Sequence, residues 1–182
     1  MDNTRSKQSN RGFSLIELII SMVLMGILSG IMASVISGNI KIMSNVSDRK
    51  KLVTQGMLAV NLFQRELGML VDSTSVILAD NRDLQFIDKF GRTLRYRVLG
   101  TKLTRTEVGV GTEQILASPL IRSDSKFKYL NAANDVLAEP LSAANLKNVR
   151  LVHLILTMDD KFEGIPIMMR VYPENLKIYN KW

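Results

Sequence analysis

From Phe13 to Ile40 the chain carries one formally charged side chain, Glu17, and Lys41 ends the run. No other feature limits the possible fold as strongly. The uncharged apolar stretch is near the ~20 residues needed to cross a bilayer, so it calls for lipid or other apolar helices around it. A carboxylate inside such a stretch is costly in hydrocarbon and calls for a partner. A polar, basic leader precedes the run, with Arg5, Lys7 and Arg11 set against Asp2.

Of the 182 residues, those beyond the run suffice for one modest globular domain with its own core. The formal net charge of +7 is spread along the chain and not gathered in a block, so it favours anionic surfaces only weakly. There is no cysteine, which excludes disulfides, thiolate metal sites and cysteine nucleophiles. A cleaved secretory signal would have a shorter apolar stretch, about 7–15 residues, and a small-x-small cleavage site. An ordinary signal anchor fits the length better, with its basic leader held in the cytoplasm. Neither accounts for Glu17, or for the Gly12-Phe13 junction between leader and run.

The octapeptide Arg11-Gly12-Phe13-Ser14-Leu15-Ile16-Glu17-Leu18 resembles the signature of type IV pilins and pseudopilins. In that family a dedicated membrane peptidase cuts after the glycine, and the new first residue is N-methylated. The resemblance implies cleavage between Gly12 and Phe13, methylation of Phe13, and Glu17 as the fifth mature residue. It also implies a partner for the carboxylate, the cationic amine of Phe13 on an axially staggered neighbour. Unlike charges attract far more strongly in a poorly screened medium than in water, which offsets part of their desolvation. Glu17 is then a register device and not a catalyst. Gly26, Gly30, Ser34 and Gly38 recur every four residues, with Ser29, Ala33 and Ser37 alongside. Small residues at that period let helix backbones approach closely in lipid. Many major pilins carry a proline near the position of Ser34, which leans the reading toward a minor subunit.

Beyond Lys41, Ile42, Val46, Val53, Met57, Val60, Leu67 and Leu70 keep helical spacing, and no proline occurs before Pro119. The Arg49-Lys50-Lys51 cluster reads as a solvated face or a contact with lipid head groups. After Ser73 the pattern changes to short alternating runs, with strands expected at 84–88, 93–98, 102–108, 114–117, 126–130, 149–158 and 165–172. A helical turn is expected near Ala143 to Leu146. The fold class expected is α+β and pilin-like, one long N-terminal helix packed on an antiparallel sheet domain. Its parts are a cleaved leader (1–12), an apolar assembly helix (13–40), its amphipathic continuation (41–72) and the sheet domain (73–182). Residues Leu84 to Arg105, and the closing Arg170-Val171-Tyr172-Pro173-Glu174-Asn175, also resemble J-type minor pseudopilins and W-type minor pilins.

No catalytic constellation is legible. His153 reads as a satisfied core or edge histidine on the face of Leu151 and Ile155. Asp80, Asp83 and Asp88 lack a recognisable cation-loop spacing, and Gly109-x-Gly111 lacks the context of a phosphate loop. Asp159-Asp160 reads as a turn. No cofactor and no metal is expected. The resemblance implies a minor pilin or pseudopilin that is a substrate of the prepilin peptidase and N-methyltransferase. Its other partners would be minor and major pilins or pseudopilins and the inner-membrane assembly platform. It would cross the bacterial inner membrane once, with the leader in the cytoplasm and the sheet domain in the periplasm, before entering a type IV pilus or a type II secretion pseudopilus. The competing reading is a DNA-uptake pilin that holds nucleic acid through Arg92, Arg95, Arg97 and Arg105, with affinity falling steeply in salt. Alternating basic residues equally keep the wet face of a sheet soluble.

Overall fold

The computed structural model describes residues 13–146, 148–160 and 163–173. One helix, α1 (Leu15–Leu67), is followed by a 3-10 turn (Ser73–Ser75) and the strands β1 (Val76–Ala79), β2 (Asp83–Ile87), β3 (Thr93–Leu99), β4 (Lys102–Val108) and β5 (Glu113–Ala117). Then come β6 (Lys126–Leu130), the short α2 (Ala143–Leu146), β7 (Leu151–Met158) and β8 (Ile165–Val171). The layout is α+β and pilin-like, with a long N-terminal helix leading into antiparallel sheet. The chain divides into two compact units, one ending at Ser47 and the other beginning at Asp48, and α1 contributes to both.

In the first unit every described residue is exposed. Two of the serine hydroxyls in the apolar run are nevertheless satisfied by the helix backbone. Ser21 Oγ donates to the Glu17 carbonyl and Ser29 Oγ to the Met25 carbonyl, both at 2.7 Å. Bonds of this kind let serine sit in an apolar helix without an orphaned polar group.

In the second unit α1 packs through Gly56, Ala59, Val60, Phe63, Glu66 and Leu67. This face is rotated from the one that hydrophobic spacing picks out, and Met57 lies exposed. The reason is Gly56, where a Cβ would run into Ile167 Cδ1 and come within 3.2 Å of Met158 Sδ. A residue without a side chain marks the closest approach, and hydrophobic periodicity does not count it. The helix ends at Leu67. Gly68 and Met69 turn the chain, and Leu70 leaves helical geometry to form a bridge with Asp88.

The strands form two antiparallel sheets in chain order, β1-β2-β3-β4-β5 and β6-β7-β8. Strand β1 has no counterpart among the expected strands, because Val76-Ile77-Leu78-Ala79 does not alternate and its register shifts between Val76 and Leu78. β3 alternates as expected, with Leu94, Tyr96 and Val98 inward. Phe63 joins the two sheets to the helix. Its ring meets Tyr96 of β3 edge-on at 5.1 Å and Phe127 of β6 at 5.7 Å. Burying a side chain of this size contributes about 1.5–3 kcal/mol.

Candidate functional site

The N-terminal segment of α1 holds the residues singled out from the sequence. Gly12 and the leader (1–12) lie outside the described residues, as do Glu174 and Asn175. Phe13 is 79% exposed and precedes the first helical turn. The Ser14 carbonyl accepts from the amides of Glu17 at 3.0 Å and Leu18 at 3.2 Å. In return the Ser14 amide donates to Glu17 Oε2 at 3.4 Å. Ser14-x-x-Glu17 thus makes the carboxylate half of a capping box, in which the acid satisfies an amide at the helix start. That role was legible in the serine-to-glutamate spacing but is not among the expectations above. A carboxylate also suits the positive end of the helix dipole.

Gly26, Gly30, Ser34 and Gly38 lie one turn apart on α1, all exposed. A Cβ at Gly26, Gly30 or Gly38 would meet no atom within 4 Å, so the helix presents bare backbone along this strip. Large apolar side chains surround it, among them Ile27, Ile31 and Val35. The helix is long and apolar enough to cross a membrane.

The basic residues named on the sheet are engaged. Arg92 Nε bonds Asp88 Oδ2 at 2.8 Å, Arg95 Nε bonds Asp83 Oδ1 at 2.9 Å, and Arg97 Nη2 bonds Glu113 Oε1 at 3.0 Å. Arg105 is not on the wet face. It is buried and bound to Glu66 of α1, whose carboxylate also accepts from Tyr96. This buried cluster was not anticipated. Its signal was Glu66 itself, which falls in register with Gly56, Ala59, Val60 and Phe63. Burial raises the Tyr96 hydroxyl far above its ordinary value, and the bond to Glu66 adds to the effect.

The acidic residues are similarly occupied. Burial alone would raise the Asp88 carboxyl, but bonds from the Arg92 side chain and the amides of Arg92 and Phe90 hold it below its usual range. On the helix, Arg49 faces Asp160 at 4.0 Å and Lys51 faces Asp48 at 3.8 Å. Arg49 and Lys51 of the 49–51 cluster thus have acids beside them. Gly109 and Gly111 both adopt positive φ, 101° and 77°, in the turn between β4 and β5. His153 is neither in the core nor on an edge. It sits on β7, the central strand of its sheet, half-buried on the outer side between Lys128 and Arg170.

Residues 7–33 match the prokaryotic N-terminal methylation motif. No curated protein matches the chain. The motif is that of a structural and not a catalytic family. Over these residues the match supports a type IV pilin-like family and a prepilin-type substrate, and with the apolar helix that continues it fits a single pass through the inner membrane.

Proposed function

We propose that this chain is a minor pilin or pseudopilin, a structural subunit that helps initiate or cap a type IV pilus or a type II secretion pseudopilus. The observation that carries the reading is the methylation motif over residues 7–33, running without interruption into an exposed apolar helix. Prepilin peptidase removes residues 1–12 and Phe13 becomes the N-methylated end. Glu17, which in the single chain bonds the Ser14 amide, then meets the Phe13 amine of a neighbour. At 4 Å and an effective dielectric near 20 such a pair attracts by about 4 kcal/mol. Gly26, Gly30, Ser34 and Gly38 admit an adjoining helix at close range. The sheet domain lies in the periplasm and contacts other minor subunits, in the manner of the J-type and W-type subclass.

The test is mass spectrometry of the protein from its native cell. A mature end at a methylated Phe13 is expected, and an intact Met1 end would overturn the proposal. The DNA-uptake reading draws no support from Arg92, Arg95, Arg97 and Arg105, since each already faces a carboxylate.

A further inference from the structure

The two sheets treat their basic residues differently. On the five-stranded sheet the arginines of the outer face are matched by Asp88, Asp83 and Glu113. On the three-stranded sheet, Lys128 of β6 stands directly opposite His153 of β7, and His153 directly opposite Arg170 of β8. Among the described residues none of these three side chains has a hydrogen bond or an ion pair with a carboxylate. Like charges directly opposite on neighbouring strands are destabilising. Burial pulls the imidazole below its ordinary range, and Arg170 and Lys128 pull it further. Glu139 is the acid that Lys126 and Lys128 reach electrostatically. Burial and Asp80 nevertheless keep its carboxyl raised, and neither lysine closes an ion pair with it.

Beside the row of Lys128, His153 and Arg170 runs one that is mainly apolar, with a lysine at its β6 end. Ile155 pairs with Met168, which is 60% exposed, and Lys126 lies opposite Ile155 on the third strand. The cationic row is one residue deep and about 10 Å across, two strand spacings of ~4.8 Å. Lys126, Lys128 and Arg170, joined by His153 only when it is protonated, neutralise few phosphates, whereas nucleic-acid affinity rises with the number neutralised. An exposed methionine beside them offers a phosphate backbone nothing. A carboxylate-bearing chain with apolar side chains satisfies both rows at once.

We infer that the outer face of β6-β7-β8 is a docking surface for an acidic polypeptide segment, its carboxylates on Lys128, His153 and Arg170 and its apolar side chains on Ile155 and Met168. The surface goes beyond the fibre-subunit proposal and does not rest on it. A carboxylate placed against His153 favours the imidazolium by offsetting Lys128 and Arg170, the charged groups that face the ring from the two flanking strands and, both being cations, disfavour its protonation. Binding therefore tightens as pH falls.

The experiment uses the full chain in nonionic detergent and a fluorescent peptide of alternating aspartate and leucine. Binding is expected, about two- to five-fold tighter near pH 5 than near pH 8, the gain of one exposed ion pair. Lys128→Gln with Arg170→Gln should abolish binding, and Arg97→Gln on the other sheet should leave it unchanged. If the double variant does not fold, His153→Gln decides, since it should bind the peptide with no pH dependence between those limits. No binding of the peptide at either pH overturns the inference, as does a His153→Gln variant that keeps the full pH response. Binding of a DNA duplex or of phosphatidylglycerol vesicles through these residues, with the peptide left unbound, overturns it too.

Discussion

Glu66 on α1 and Arg105 on β4 form a buried ion pair, with Arg105 Nε 2.9 Å from Oε2 and Nη2 2.8 Å from Oε1 of the same carboxylate. Tyr96 of β3 donates to that carboxylate as well. The helix is thereby tied to two adjacent strands by groups that have left water. Removing one partner strands the other charge, so Glu66→Ala should destabilise the folded chain by about 3–5 kcal/mol. Replacing both by apolar residues, Glu66→Leu with Arg105→Met, should cost far less. Urea unfolding followed by circular dichroism in detergent measures both. A loss under about 1 kcal/mol for Glu66→Ala would show that the pair is dispensable.

Gly56 and Phe63 lie two turns apart on the same helix face. Gly56→Val places methyl groups where Ile167 Cδ1 already stands, and overpacking of this kind costs about 1–3 kcal/mol. Gly56→Ala should be milder, because the Ile167 terminus can turn aside. Phe63→Ala leaves a hole between Tyr96 and Phe127 and should cost about 3–5 kcal/mol. A valine variant as stable as the natural chain would contradict the close approach.

The buried tyrosines predict alkaline lability. Burial raises the hydroxyls of both Tyr96 and Tyr129 above their value in the unfolded chain. A raised folded value stabilises fully below the unfolded value, about 10, and that contribution fades as pH rises beyond it. Asp88 behaves oppositely. Its carboxyl is held low, so its contribution is present above the unfolded value, about 3.8, and is lost as pH falls below it. Thermal unfolding across pH should show both shoulders. Tyr96→Phe should weaken the alkaline one and Asp88→Asn the acidic one.

Glu17 has two candidate duties, capping the helix and pairing with a neighbour's amine, and Glu17→Gln separates them. The amide keeps an oxygen for the Ser14 amide but carries no charge. Glu17→Gln and Glu17→Ala should both be processed and should both assemble poorly in the native cell. Recovery of assembly by glutamine would assign the carboxylate to the cap.

The proposed leader removal would depend on the Gly12-Phe13 junction. Gly12→Val should leave the leader attached, with an unchanged amino-terminal mass in the native cell. Normal processing of that variant would move the junction elsewhere.

What the sequence determined by itself is local. The apolar run with its lone Glu17, the absence of proline before Pro119, and the alternation from Thr93 to Val98 each dictate an element through nearest neighbours and side-chain period. They place the start of α1 and most strands within a residue or two, whereas the helix ends at Leu67, short of the expected 72. The tertiary structure decided everything that depends on residues distant in the chain. Which face of α1 is buried follows from Gly56 meeting Ile167, a contact that a glycine cannot announce in a hydrophobic pattern. That Arg105 is interior while Arg92, Arg95 and Arg97 meet water follows from Glu66 reaching across from the helix. A charge pattern along one strand carries no information about the carboxylate that will be brought against it. The same holds for Lys128, His153 and Arg170, which are far apart in sequence and become one row only when three strands pair.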